Sequence, residues 1–244
     1  MKDNFSTQSN DYARFRPQYP QKLIDYLISL TGGQENCWDC GTGNGQFAVQ
    51  LADRFQRVLA SDISEKQLKN ATLKSNIEYS LQSAEKTNFP DHHFDLVTVA
   101  QAAHWFDFQR FNLEVKRVLK PDGVIALFGY GLVKVDGKIG EMIKDFYWNV
   151  TKPFWDPERN HIVEEYKTIP FPFNEIEVTQ NFDIKNEMSL EELTGYIGTW
   201  SAVQHFKKAN GYHPVDKLLD DLSKIWSEGK RTVTFPVFIR VGRV

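Results

Sequence analysis

The stretch W-D-C-G-T-G-N-G-Q, residues 38–46, decides how this chain folds. Gly41, Gly43 and Gly45 alternate in it. Before them, residues 36–40 read as a short strand. After them, Phe47, Leu51 and Phe55 recur every four residues, as do Ala48 and Ala52, which is the spacing of an amphipathic helix. Side chains in such a loop would hold a ligand away from the backbone, and glycine permits the turn itself. The helix start offers unpaired N–H groups to a polar ligand. A second strand, Arg57 to Ser61, ends at Asp62, 17 residues after Gly45. A carboxylate there can accept hydrogen bonds from both hydroxyls of a ribose.

Outward from this unit the alternation of strand and helix continues. Upstream, residues 20–30 read as a helix opened by Pro20, with Leu23, Leu27 and Leu30 on one stripe and Ile24 and Ile28 beside it. Downstream, Ser64 and Gln67 fit a capping box. Residues 77–82 make a third strand. Phe94 to Ala100, apolar except at Asp95 and Thr98, makes a fourth, covered on both faces. A helix with Phe108, Phe111, Val115 and Val118 inward leads through the turn Pro121-Asp122-Gly123 to a fifth strand, Val124 to Phe128. The pattern predicts an α/β fold with a doubly wound sheet.

Past residue 128 the pattern changes. Helical stretches broken by Pro153, Pro157, Pro170 and Pro172 read as a helical cap inserted at 129–174. Ile176, Val178, Phe182 and Ile184 alternate as a strand does. Ser189 and Glu192 cap a helix buried through Leu193, Ile197 and Trp200, and Val215, Leu218, Leu222 and Ile225 mark another. Val233 to Val241 is a closing strand, with Pro236 calling for an edge or a bulge inside it. The whole is one domain: 1–35 an N-terminal arm and helix, 36–128 a binding core, 129–174 the cap, 175–244 the C-terminal strands and helices.

Composition narrows the function. The chain has 244 residues, 41% of them hydrophobic, enough for a core that needs no disulfides. Its net charge of −3, without a basic run, disfavours nucleic acid as a partner. No apolar stretch reaches the roughly 18 residues that would cross a membrane, and the polar N-terminus carries no signal-peptide pattern, so a cytoplasmic location is expected. Cys37 and Cys40 form a CxxC, but on a strand, where positions three apart face opposite sides of the sheet; a redox pair is not expected. His92-His93 is a turn pair, and no metal constellation is present.

A dinucleotide site would show GxGxxG; here the spacing is GxGxG with Asp39 before it. That pattern resembles motif I of the class I S-adenosylmethionine-dependent methyltransferases. SAEKTNFPDHHFDLVTV (83–99) and RVLKPDGVIALF (117–128) resemble the family's later stretches, so the likeness covers about residues 36–128. It implies a Rossmann-like sheet of seven strands, mostly parallel with an antiparallel C-terminal strand, and S-adenosylmethionine as cofactor. AQAAHWFD (100–107), YARFRPQYP (12–20) and LEELTGYIGTWSAV (190–203) resemble the trans-aconitate methyltransferase-like branch, which implies a small-molecule methyl acceptor, carboxylic acids included.

The resemblance assigns roles residue by residue. Asp39, Gly41, Gly43 and Gly45 form the cofactor loop; Asp62 holds the ribose; Ile63 packs on the adenine, with Ala84 and Glu85 beside it. Gln101 meets the methionine ammonium, and Tyr12, Arg16 and Tyr19 belong to an arm closing over the cofactor, with Arg16 on the methionine carboxylate. His104 and Trp105, at the carboxyl end of the fourth strand, are the catalytic candidates. Trp200, His205, Phe146, Tyr147 and Trp148 are further pocket candidates, and Arg14, Arg16, Arg159, His161 and Lys207 could supply a basic pocket. An NAD-type oxidoreductase and a non-enzymatic nucleoside-binding module are the rival readings.

Overall fold

The continuous apolar run of the fourth strand, β4 (Phe94–Ala100), sits mid-sheet in the computed structural model, which describes residues 15–244. It runs parallel to β1 (Asn36–Cys40) on one side and to β5 (Leu119–Tyr130) on the other. Its two polar residues each have a structural partner. Asp95 Oδ2 accepts from the backbone N–H groups of Glu35 and Asn36, both at 3.0 Å, and its Oδ1 accepts from Lys120 Nζ, which pins the start of β1. Thr98 donates to Asp39 across the strand pair.

With β2 (Arg57–Asp62), β3 (Ile77–Leu81), β6 (Asn174–Ile176) and β9 (Val237–Arg243), these strands form one seven-stranded sheet in the order β3-β2-β1-β4-β5-β9-β6. β9 pairs antiparallel with both β5 and β6, so it alone runs against the other six. This is the Rossmann-like sheet expected from the sequence. Alternate residues feed two cores: Cys37, Val58, Ala60, Leu96 and Phe128 face one side, and Trp38, Cys40, Leu59, Val97 and Leu127 the other. The first face is covered by α1 (Gln21–Leu30), through Leu23, Ile24, Leu27 and Ile28, and by α2 (Gln46–Leu51). Each such aliphatic side chain contributes about 2 kcal/mol on full burial. The second face is covered by α4 (Phe108–Val118), through Phe111, Val115 and Val118. α3 (Glu65–Lys69) links β2 to β3. Cys37 and Cys40 are free, buried and on opposite faces, and burial pushes both thiols up.

Four elements differ from the sequence reading. The Pro121-Asp122-Gly123 turn is a bulge within a longer β5: Phe94 pairs with Leu119 but Leu96 with Val124, and Asp122 takes φ +60°. The expected strand through Ile176 and Ile184 serves two sheets. Ile176 pairs with Val241 in the main sheet, whereas Ile184 pairs with Phe235 in a separate ribbon of β7 (Ile184–Met188) and β8 (Arg231–Phe235). The two partners lie on either side of Pro236, which has no N–H to give a ladder, so the closing strand also breaks there. The box at Ser64 is half closed: its Oγ accepts from Gln67 N at 3.3 Å, but the Gln67 side chain does not return the bond. At Ser189 both halves form, opening α7 (Leu190–Gly198).

Between β5 and β6, α5 (Lys138–Asp145) runs into a π-helical turn (Phe146–Thr151), a short 3₁₀ turn (Lys152–Phe154) and α6 (Arg159–Val163). This segment packs against α8 (Ser201–Asn210) and α9 (Pro214–Ser223). No helix among the described residues is long and apolar enough to cross a membrane.

Candidate active site

The carboxyl ends of β1, β2 and β4 open into one cleft of about 1050 Å³, counting the part open to solvent. Arg16, Asp39, Gly41, Gly43, Asp62, Ile63, Gln101 and Trp105 all line it, and so does Tyr19. Seven of these residues lie at or just after the carboxyl ends of β1, β2 and β4, because parallel strands deliver their ends to one edge.

The three loop glycines do three different things. A Cβ on Gly41 would lie 2.7 Å from Ala102 Cβ, so this glycine lets the loop after β4 approach the loop after β1. Gly43 has nothing within 4 Å of where a Cβ would stand, and its N–H donates to Asp62 Oδ2 at 2.9 Å. Gly45 caps α2 at φ +81°, and a Cβ there would overlap the Tyr79 hydroxyl of β3. It packs helix against strand and does not line the cleft. Gly45→Ala is therefore expected to cost about 2 kcal/mol through left-handed strain and overpacking, read as a lower melting temperature. Gly43→Ala, with only the backbone strain, is expected to cost less.

Asp62 is fixed from both sides: Oδ1 accepts from Ser64 N at 2.8 Å and Oδ2 from Gly43 N. Beside it Gln67 Oε1 is buried at the cleft wall with no partner among the described residues. Asp39 lies beneath the loop, 1% exposed, accepting from Thr42 Oγ1 at 2.6 Å and Thr98 Oγ1 at 2.9 Å. Burial pushes its pKa up to about 6 despite those two bonds.

Gln101 stands at φ +57°, a strained position for a side-chain-bearing residue. Its amide copies a strand residue: Oε1 accepts from Tyr130 N at 2.8 Å and Nε2 donates to Tyr130 O at 3.2 Å. The side chain is thus committed to the sheet edge. Ala84 is buried in the second core, and Glu85 Oε1 accepts from Asp107 N at 3.0 Å; neither lines the cleft. Tyr12 and Arg14 lie outside the described residues.

The profile of the methyltransferase domain family matches residues 38–127. A Dictyostelium discoideum protein named as a methyltransferase is 33% identical over 246 residues, covering 97% of this chain and 93% of that one. The chain belongs to the class I S-adenosylmethionine-dependent methyltransferases. A solved structure from Anaeromyxobacter dehalogenans, described as a type II methyltransferase, matches with a TM-score of 0.88 at 36% identity, over 94% of this chain and 98% of its own. An N-methyltransferase of Haemonchus contortus, solved with S-adenosylhomocysteine, shares the fold at a TM-score of 0.51 and 17% identity; it covers 98% of this chain and 57% of its own.

S-adenosylmethionine is the methyltransferase's cofactor, and the cleft fits it: the bare backbone at Gly43, the fixed Asp62 carboxylate and the Gln67 oxygen, unpartnered among the described residues, line one nucleoside-sized space. When bound, it supplies an electrophilic methyl on a sulfonium.

Beyond Trp105 the methyltransferase has a second pocket of about 500 Å³, again counting the part open to solvent, sharing Arg16, Gln101 and Trp105 with the cleft. Its other walls come from beyond β5: Trp155, Asp156, Arg159 and Ile162 from the segment expected as a cap, and Tyr196, Trp200 and Ser201 from α7 and α8. His104 forms its floor, 5% exposed, with Nδ1 3.0 Å from Tyr166 Oη. Burial, then the nearby Arg159 and His161, holds this imidazole well below its ordinary pKa, hence neutral. Arg16 donates to Tyr130 Oη at 2.9 Å and lies 5.5 Å from the Tyr196 ring centre. Arg159 lies 4.5 Å over the Trp155 ring, and among the described residues its guanidinium makes one hydrogen bond, to Tyr147 Oη at 3.4 Å.

The sequence reading named Arg159 and Trp200 only as candidates, and it missed Trp155, Tyr196, Thr42 and Thr98. Thr98 alone left a sign, as a polar break in an apolar run. Among the other candidates, His205 Nδ1 meets Phe154 O at 2.9 Å, and neither it nor Tyr147, Trp148, His161 or Lys207 lines either pocket. Among the described residues no group of three His, Cys, Asp or Glu side chains could hold a metal.

Proposed function

We propose that the protein transfers the methyl group to a carboxylate oxygen of a small acid seated in the second pocket. The observation that carries this is Arg159. Its half-buried guanidinium lines the pocket and has no carboxylate partner among the described residues. A guanidinium that is stacked and oriented but not neutralised suits an incoming carboxylate. Trp105, shared by the two spaces, stands where a methyl donor and acceptor would meet. A carboxylate nucleophile needs no general base. The residues then have to align the oxygen with the methyl and exclude water, since charge is neutralised along the path. His104, neutral and with Nδ1 taken by Tyr166, offers Nε2 as an orienting group.

On the cofactor side we assign the ribose to Asp62, an adenine face to Ile63, and the methionine end to Asp39, Arg16 and the backbone of Gln101. In this reading Gly45, Ala84 and Glu85 support the cleft from behind.

The test is transfer of labelled methyl from S-adenosylmethionine to a panel of carboxylic acids. Ester formation is expected, and Arg159→Met is expected to lower kcat/KM about 100-fold, the size of a lost charged hydrogen-bonding partner of about 3 kcal/mol. Transfer only to alcohols or amines would overturn the assignment and make His104 Nε2 the general base.

A further inference from the structure

Resting on the carboxylate reading above, we propose that Tyr166 is a positioning residue: its hydroxyl donates to His104 Nδ1 and so fixes the imidazole in the tautomer that presents Nε2–H to the acceptor carboxylate. Tyr166 Oη and His104 Nδ1 are 3.0 Å apart, and the imidazole lines the second pocket, which leaves Nε2 for an occupant. A neutral imidazole has one N–H and one lone pair, so whatever meets Nδ1 decides what Nε2 offers. Between a phenol and a neutral ring N–H, the phenol gives its proton more readily and the bare ring nitrogen is the better acceptor. The bond therefore runs from Tyr166 to His104.

The place of that hydroxyl is tightly determined. Just past α6, Glu165 takes φ +53° and Tyr166 φ +60°, two successive left-handed residues where a helix end usually has one glycine. Tyr166 N closes the turn on His161 O at 2.7 Å. β9 holds the residue from the other side: Arg240 Nη1 donates to its carbonyl at 3.1 Å, and Phe238 meets its ring edge-on at 4.8 Å. Tyr166 is fully buried, and packing alone needs no hydroxyl there. The donor tautomer suits an anion, because a bare Nε2 would set its lone pair against the carboxylate oxygens. With Nε2–H, His104 and Arg159 both have N–H groups for one occupant of the pocket. In the transfer one carboxylate oxygen forms the bond to the methyl carbon, while the carbon–sulfur bond breaks and its electron pair stays on sulfur. No proton leaves the acceptor, so His104 keeps its hydrogen throughout.

The experiment reads the ring nitrogens of His104 by nitrogen-15 NMR on the full chain with labelled histidine and S-adenosylhomocysteine bound, the signals being identified by their loss in His104→Asn. In the parent Nε2 is expected to be protonated and Nδ1 bare. In Tyr166→Phe, which keeps the ring, the Nδ1-protonated form is expected to appear. On the acids that the parent methylates, kcat/KM of this variant is expected to fall about 10-fold, the size of one lost hydrogen bond. Its affinity for S-adenosylhomocysteine is expected to be unchanged, because Tyr166 does not line the cleft. A merely structural Tyr166 would leave the tautomer where it was, so a variant spectrum like the parent's overturns the proposal. So does a parent with Nδ1 protonated and Nε2 bare, which is the state a general base needs; this spectrum decides by itself if the variant does not fold. No ester from any acid, with the parent in the donor tautomer, overturns the carboxylate reading and leaves Tyr166 as the residue that sets the tautomer.

Discussion

Asp62→Ala is expected to lose about 100-fold in affinity for S-adenosylhomocysteine, read by titration calorimetry. The carboxylate is held by two backbone N–H groups, so its remaining acceptor capacity is aimed without cost in side-chain entropy. Two ribose hydroxyls donating to one charged group are together worth about 3 kcal/mol, which is about two decades in affinity. Part of the loss is indirect, because the Gly43 N–H then has no acceptor and the loop loosens. Asp62→Asn separates the two parts: it keeps one acceptor for Gly43 and is expected to lose about 10-fold. An alanine variant that binds as tightly as the parent would end the ribose assignment.

The second large effect runs in opposite directions on stability and on binding. Asp39→Asn is expected to be more stable than the parent at pH 8 and to bind the cofactor less well. In the folded protein the acid has its pKa raised from 3.8 to about 6, chiefly by burial. A raised carboxyl pKa means that the folded state holds the proton more tightly than the unfolded chain. Stability is then fully present below pH 3.8, falls as pH rises to about 6, and is flat above. A shift of about two units corresponds to about 3 kcal/mol, or about 6–12 °C in melting temperature for a chain of this size. Asparagine avoids that cost and can still meet both threonine hydroxyls, which rotate to donate or accept. His104, held neutral by burial, has the opposite sign: its contribution is lost as pH falls below its ordinary value of 6.5. Both proteins carry His104, so the difference between their melting curves from pH 4 to 8 isolates Asp39. A difference that does not grow between pH 4 and 6 would show that the acid is not buried as described. The ionised acid is retained, on this account, for the cofactor's ammonium.

The part of the fold written locally was readable from the sequence. Strand β1 and the Phe94–Ala100 strand have the expected bounds, because glycine punctuation and unbroken apolar runs are local signals. The seven-strand count and the antiparallel C-terminal strand came from family resemblance, and the strand order only from the structure. Pro236 was seen as trouble for one strand, but its consequence, a chain shared between two sheets, depends on what pairs across it. The same holds at the site. Gly41, Gly43, Asp62 and Ile63 line the cleft because the βα geometry puts them there. Gly45 was expected beside them, yet its lack of a side chain serves Tyr79. Gln101 was at the right place, but nothing local says that its amide would pair with the Tyr130 backbone. Trp155, Arg159, Tyr196 and Trp200 meet through the packing of helices far apart in sequence, and aromatic residues at helical spacing read equally well as core.

Arg16, Gln101 and Trp105 border both spaces, so neither can fill without touching what borders the other. Whatever factor an occupant of the first changes the second's affinity by, the second must return the same factor to the first. Any coupling between S-adenosylhomocysteine in the first space and an occupant of the second is therefore reciprocal across three side chains, and measuring either one's dissociation constant with and without the other gives the same coupling free energy.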